Sequence, residues 1–157
     1  VFYELTQNMM EAQAMPAYEI SNHARAGGEA KHNVHIWRGG SYLGIGPGAH
    51  GRMDASDGKR YATYNLRSPE SWLSKPENGN EIFEEISIAQ QQEEYLLMSL
   101  RLREGTALPQ HHWRPEYLQA LQGEGLIELT ADRLIPTAAG RMVLNRLTEG
   151  LVEHLLV

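Results

Sequence analysis

The stretch from Tyr18 to Arg52 concentrates glycine and histidine to a degree that limits what the chain can fold into. It holds eight of the fifteen glycines and four of the seven histidines. Glycine loses more backbone freedom on folding than any other residue. A glycine cluster outside any repeat therefore indicates a backbone that turns tightly or lies close against another group. The stretch predicts a functional site, and we expect the rest of the chain to support it.

The composition excludes several classes of function. The chain of 157 residues has 41% hydrophobic and 22% charged residues, and it contains no apolar run of the ~20 residues that a membrane-spanning helix needs. No signal-peptide pattern is visible, so we expect a cytoplasmic protein. Zero cysteines exclude a cysteine nucleophile and a cysteine-held iron–sulfur cluster within this chain. The net charge of -6 argues against sequence-independent binding of nucleic acid.

Hydrophobic periodicity predicts a helix and two short strands in the first 45 residues. Apolar residues at helical spacing predict a helix over residues 2–14, and the alternation over Ala17–Ser21 predicts a strand. Residues 22–40 are polar and aperiodic, which predicts a loop, and Tyr42–Ile45 is expected to be a second strand. Because no cap precedes the first helix, we expect this chain to be the C-terminal part of a longer one.

The second half of the chain has clearer helix signals. Residues 53–80 are expected to be an irregular surface connection, with turn signals at Asp57-Gly58 and Asn78-Gly79. Ser87 and Gln90 form a capping-box pattern. The expected elements after it are a helix ending at Gly105, a short helical piece over 108–113, a helix from Pro115 to Gly123 or Gly125, strands over 126–129 and 134–136, and one long helix capped by Thr137.

That order of elements is typical of a winged helix, which raises a nucleic-acid hypothesis. The helix that would enter the major groove begins at Pro115 and offers Glu116 and Gln119 but no lysine or arginine. From Tyr61 onward the chain has 8 basic and 14 acidic residues. The charge therefore favours a packing module or a protein partner and predicts no nucleic acid. An interaction module of this kind is the alternative function from another class.

Two motifs in the glycine-rich stretch have competing interpretations. The spacing Gly44-x-Gly46-x-x-Ala49 satisfies the dinucleotide fingerprint, but the residues that follow are poor helix formers, and the fingerprint requires a helix there. A strand end that approaches a ligand closely is the better interpretation. His32 and His35 are three residues apart, yet they match no fixed spacing of metal ligands, so no metal site is predicted.

Several separated motifs resemble the signature of the oxygen-independent coproporphyrinogen III oxidase-like radical SAM family, which includes HemW-like members. The family pattern has a YEISN strand, an HN..YW segment and a Y.GIG.GAHS loop at this spacing. This chain reads YEISN, HNVHIW and YLGIGPGAHG, followed by EYLLMSLRLREG and LTADRLIPTAAG. The resemblance covers nearly the whole chain. It departs from the usual residue at Ile36, Gly51 and Ser99.

The resemblance implies an α/β protein whose present part is α+β. Residues 1–64 would be the last helix and strands of a partial (β/α) radical SAM barrel, residues 65–80 a linker and residues 81–157 a winged-helix-like domain. It also implies a full-length protein that uses S-adenosylmethionine (SAM) and a [4Fe–4S] cluster held by a CxxxCxxC motif. That motif is absent here, so we expect no catalytic residue in this chain and no activity from it alone.

The resemblance also assigns candidate binding residues. On the SAM side it places Gly44, Ile45, Gly46, Gly48 and Ala49, whose glycines would leave backbone groups free to meet the cofactor. On the substrate or heme side it places His32, Asn33, Trp37 and His50. Candidate axial ligands of heme iron are His23, His32, His35 and His50.

The series YEISN, HN, W and GIG.GAH resembles HemW-like members more than the authentic oxidases, so the resemblance implies a heme chaperone, with oxidative decarboxylation of coproporphyrinogen III as the enzymatic alternative. The expected partners are porphyrin or heme and a protein that accepts heme. The edges of an incomplete sheet also predict a homodimer.

Overall fold

The computed structural model describes residues 2–74, 82–108 and 112–156. In these ranges the chain combines helices with two small antiparallel sheets, an α+β arrangement. In order, the elements are α1 (Phe2–Ala12), α2 (Lys31–Trp37), β1 (His50–Asp54), β2 (Arg60–Tyr64), α3 (Pro69–Leu73), β3 (Ile82–Glu85), α4 (Ile88–Ser99), β4 (Thr106–Ala107), α5 (Pro115–Gly123), β5 (Ile127–Leu129), β6 (Arg133–Pro136), α6 (Ala138–Met142) and α7 (Leu144–Glu153).

Two compact units make up the chain. The first consists of Val1–Arg38 together with Gln92–Val157, and the second of Gly39–Gln91. The second unit contains a sheet of order β1-β2-β3, in which Gly51 lies opposite Thr63 and Thr63 lies opposite Phe83. The first unit contains a sheet of order β4-β6-β5.

The hydrophobic core described here belongs to the first unit. Its fully buried leucines are Leu96, Leu100, Leu134 and Leu151, and burial of such a side chain contributes about 1.5–3 kcal/mol. Trp113 joins them and donates its indole N–H to the carbonyl of Leu151 at 2.8 Å. That hydrogen bond satisfies the one polar group that this indole brings into the core.

Local signals were sufficient for the predicted helix starts. Ser87 and Gln90 form the predicted capping box, with the Ser87 N–H donating to Oε1 of Gln90 and the Gln90 N–H donating to Oγ of Ser87. Pro115 opens α5. The Thr137 hydroxyl accepts the N–H of Gly140 and caps α6. The predicted first helix and the strand pair β5 and β6 are also confirmed.

Both strands predicted before residue 46 are wrong. Ala17 and Glu19 form isolated bridges with His23 and Leu102, and Tyr42 forms one with Arg52. The chain turns back after Glu19, because the N–H of Ser21 donates to the Glu19 carboxylate. The alternation of apolar and polar residues therefore marks a tight turn in which one polar residue is buried.

The predicted loops are also corrected. Residues 22–40 contain α2, and residues 53–80 contain most of the β1–β2 hairpin and α3. Sequence patterns did not predict the hairpin because its strands, HGRMD and RYATY, carry few apolar side chains. Its turn at Asp57-Gly58 was predicted, and Gly58 there has a φ of 81°. Asn78-Gly79 and residues 109–111 of the predicted helical piece lie outside the described residues.

Two helix ends differ from expectation. The helix expected to reach Gly105 ends at Ser99. The single long helix expected after Thr137 is two helices, because Val143 leaves the helical conformation with φ -118° and ψ 25°. The chain therefore bends between α6 and α7.

Candidate functional site

Glu19, in the YEISN segment, is a fully buried carboxylate at the centre of a tight turn. Its Oε1 accepts hydrogen bonds from the N–H and the hydroxyl of Ser21, each at 2.9 Å, and from the side-chain amide of Asn22 at 2.6 Å. A buried charge is costly unless it is hydrogen bonded. The serine and asparagine of the segment supply those donors, so they hold the carboxylate in one orientation.

The other oxygen of Glu19 faces Arg101. Glu19 Oε2 lies 3.9 Å from Arg101 Nε, and among the described residues neither atom has a hydrogen-bond partner. The Arg101 guanidinium carbon lies 4.7 Å from the centre of the Trp37 ring, a cation–π contact. We call these three residues the Glu19–Arg101–Trp37 cluster. It joins the YEISN turn, the end of α2 and the segment after α4.

Helix α2 presents its candidate residues on two different faces. Asn33 and Trp37, four residues apart, are partly buried, and the Asn33 amide donates to the Tyr18 hydroxyl at 3.4 Å. His32 and His35, three residues apart, are exposed. Side chains at this spacing are neighbours on a helix surface, with β-carbons about 5–6 Å apart. His32 therefore lies beside His35 on the exposed face of α2, and Trp37 lies on the other face.

His23 differs from the two exposed histidines. Its Nε2 is buried without a hydrogen-bond partner among the described residues, and its backbone bridges Ala17. His23 as a whole is half-buried, and we interpret its ring as part of the packing of the turn.

In the second unit the predicted SAM-side loop is held by a residue that sequence reasoning missed. The buried side chain of Asn65 donates to the carbonyls of Gly44 at 3.1 Å and Gly46 at 2.9 Å. Gly46 and Gly48 have positive φ values of 105° and 69°, which favour glycine. Within this loop the side chain of Ile45 is 85% exposed to solvent.

His50 begins β1 in the same unit and is exposed. Its ring meets Tyr64 edge-on, with centroids 4.8 Å apart. The departure from the family pattern at Gly51 has a steric reason, since a β-carbon there would overlap the Thr63 hydroxyl and lie 2.9 Å from the Tyr42 carbonyl oxygen. The candidate residues thus fall into two groups, with His32, Asn33 and Trp37 in the first unit and the glycine-rich loop and His50 in the second.

The described ranges hold neither a cluster of metal-ligating side chains nor a helix of membrane-spanning character. No group of three or more histidine, cysteine, aspartate or glutamate side chains there is placed to hold a metal ion. None of the helices in those ranges combines the length and hydropathy required to span a bilayer.

An ion pair fixes the C-terminal end of α2 within the first unit. Arg38 donates from Nε and Nη2 to the two carboxylate oxygens of Glu104, each at 3.0 Å. The hydrogen bond from Arg38 holds the pKa of Glu104 below its ordinary value of 4.5, and burial opposes this shift. This pair anchors α2 to the turn that follows Arg101.

Glu104→Gln is expected to lower stability at pH 7 by at most about 1 kcal/mol, because the pair is partly exposed. A lowered pKa contributes stability above the ordinary value and loses it as pH falls through the folded-state value. The stability difference between wild type and variant should therefore shrink between about pH 6 and pH 3 in urea unfolding. The exposed Glu128→Gln is the control. A difference that stays constant to the lowest pH would contradict the ionic origin of this contribution.

Comparison with known proteins gives one consistent result. No protein-family model and no solved structure matches the chain. The protein named Heme chaperone HemW from Mycobacterium tuberculosis (strain ATCC 25618 / H37Rv) is 31% identical, over 96% of this chain and 38% of its own length. The protein of that name from Escherichia coli (strain K12) is 28% identical, over 94% of this chain and 40% of its own length.

A third relative carries the radical SAM name. The protein named Radical S-adenosyl methionine domain-containing protein 1, mitochondrial, from Danio rerio is 34% identical, over 72% of this chain and 26% of its own length. The chain thus spans two fifths or less of these curated relatives. The similarity to the two HemW proteins covers both the YEISN turn and the Gly44–Ala49 loop. The chain therefore belongs to the HemW-like radical SAM family.

Proposed function

We propose that this chain contributes heme binding to a HemW-like heme chaperone. The observation that carries the proposal is the exposed pair His32 and His35 on one face of α2. Imidazole is a common axial ligand of heme iron, and the relatives that match nearly the whole chain are named heme chaperones. A solvent-facing imidazole can meet a flat ligand, whereas the buried Nε2 of the half-buried His23 cannot.

The spacing of the two histidines suits transfer of heme. Both side chains lie on the same side of α2, so they cannot occupy the two opposite axial positions of one iron. Ligation through either histidine would leave the second axial position open. A protein that accepts heme could then supply its own ligand there before the first bond breaks.

The radical SAM cofactors belong, in this proposal, to a longer protein. This chain has no cysteine and therefore no ligand for a [4Fe–4S] cluster of the CxxxCxxC type. Its contribution on the SAM side would be the Gly44–Ala49 loop. Because Asn65 already engages the carbonyls of Gly44 and Gly46, the exposed Ile45 side chain is the group we expect to meet the cofactor.

We further propose that residues 1–64 end a radical SAM barrel and that residues 81–157 form a winged-helix-like module. The barrel is supported by the radical SAM relatives. The module is supported by α4 and α5 and by the sheet of order β4-β6-β5. Glu116, which is exposed in the first turn of α5, suits a protein partner better than the phosphates of nucleic acid.

Heme titration tests the proposal directly. Added heme should give a saturable shift of the Soret absorption band, and the double variant His32→Ala/His35→Ala should weaken binding at least about tenfold, which corresponds to loss of ~1.4 kcal/mol. His112→Ala is the matched control, because His112 is also exposed but lies away from α2 in sequence. An unchanged Soret shift and affinity in the double variant would overturn the assignment of the ligand to α2.

A further inference from the structure

We propose that Arg101 is a carboxylate-binding residue whose guanidinium is positioned by buried Glu19 and by the ring of Trp37. In the heme-binding function proposed above, on which this inference rests, the carboxylate is a propionate group of heme. Arginine binds carboxylates through two parallel hydrogen bonds from its planar fork, which makes the orientation of the guanidinium decisive.

Arg101 retains unused hydrogen-bonding capacity. About one third of its side chain is exposed (33%), whereas its Nε is buried. Among the described residues, its side chain has the ion pair with Glu19 and the contact with Trp37, and no hydrogen bond. Arg38 differs, because both ends of its fork are taken by Glu104. The outer end of the Arg101 fork can therefore donate to a ligand.

Glu19 and Trp37 fix this guanidinium from two directions. The Glu19 carboxylate cannot swing away, because three donors hold its Oε1. The 3.9 Å between its Oε2 and Arg101 Nε is too long for a direct hydrogen bond, so the two buried atoms interact through the attraction of their opposite charges. The ring of Trp37 contacts the guanidinium, whose central carbon lies 4.7 Å from the ring centre. A donor held in this way loses little conformational freedom when it binds.

Heme carries a chemical partner for each of two groups near α2, the exposed His32 on one face and Arg101, which contacts Trp37 on the other. His32 and Trp37 are five residues apart on one helix, which is about 7.5 Å along its axis. Heme carries iron at its centre and two carboxylates at one edge. A ligand with a metal for the imidazole and a carboxylate for the arginine would have to reach round the side of α2 to contact both groups.

Three probes separate carboxylate recognition from iron ligation. They are heme, the dimethyl ester of heme, and iron-free coproporphyrin III, which has four propionates. Arg101→Gln is expected to weaken binding of heme and coproporphyrin about tenfold and to leave the ester unchanged. Arg101→Lys should lie between, since it keeps the charge without the fork. Arg103→Gln is the control, because Arg103 is exposed on the same segment.

Glu19→Gln tests the positioning role. It preserves the size of the side chain, and it should weaken the two acids several-fold while the ester binds as in the wild type. Equal weakening of acid and ester in the Arg101 or Glu19 variants, or no weakening at all, would overturn the inference. If the histidine variants leave heme binding unchanged while Arg101→Gln still weakens coproporphyrin binding, the ligation proposed above fails and the carboxylate site stands.

Discussion

Gly105→Ala is expected to lower the free energy of unfolding by about 3–5 kcal/mol. Gly105 has a φ of +67°, a conformation that costs other residues about 1–2 kcal/mol. A β-carbon there would also overlap the carbonyl oxygen of Leu134 and lie 2.8 Å from the α-carbon of Ile135. These are backbone atoms of β6, so no change of side-chain rotamer relieves the overlap. Urea unfolding followed by circular dichroism measures the loss.

Gly125→Ala is the matched control for the backbone conformation. Gly125 has a φ of +70° but no atom within 4 Å of a built β-carbon. This variant should therefore show the conformational cost alone, about 1–2 kcal/mol. The difference between the two variants isolates the effect of crowding against β6. Equal losses would mean that β6 shifts at no cost, contrary to the close packing expected beside buried Leu134.

The C-terminal half of the fold was predictable because its signals are local. The capping box of Ser87 and Gln90, the opening proline of α5 and the cap at Thr137 each lie within four residues of the helix that they start. The buried stripe of α7, with Leu147 and Leu151 four residues apart, repeats at helical spacing. Periodicity cannot show a break such as Val143, because apolar residues continue through it.

The N-terminal half was poorly predicted because its organisation depends on distant contacts. Asn65 lies 21 residues from Gly44, whose carbonyl it engages, and Arg101 lies far beyond Trp37 in the sequence. No local pattern encodes either contact. The glycine-rich stretch was nevertheless a correct indication of unusual backbone, since Gly27, Gly39, Gly46 and Gly48 all have positive φ values.

The candidate site was likewise predictable only where its signals are local in the sequence. The HNVHIW segment could be identified from sequence, but not the fact that α2 separates its exposed histidines from Asn33 and Trp37. The burial of Glu19 could have been predicted from the sequence. Its carboxylate lies between the apolar Tyr18 and Ile20, and Ser21 and Asn22 directly after it supply the hydrogen-bond donors that a buried carboxylate needs. A strand would explain the alternation of apolar and polar residues from Ala17 to Ser21, but it would not explain why the charged Glu19 is buried.

Gly44→Ala is the second substitution with a large expected effect, about 2–4 kcal/mol of stability in the second unit. Gly44 has no positive φ, so the reason is packing alone. A β-carbon there would overlap the carbonyl oxygen of His50 and lie 2.6 Å from its carbonyl carbon and 2.8 Å from its nitrogen. Relief requires the loop to move away from β1. That movement would strain the hydrogen bond from Asn65 to the Gly44 carbonyl.

Gly58→Ala supplies the comparison within the same unit. Gly58 has a φ of +81° in the β1–β2 turn and open space around it, so it should cost about 1–2 kcal/mol. Limited proteolysis at the Gly44–Ala49 loop gives a second measurement, in which Gly44→Ala should be cut faster than wild type and Gly58→Ala should not. If Gly44→Ala unfolds and is cut like wild type, the loop tolerates displacement from β1. The exposed position of Ile45 would then be one of several that the loop adopts, and Asn65 would not be what fixes it.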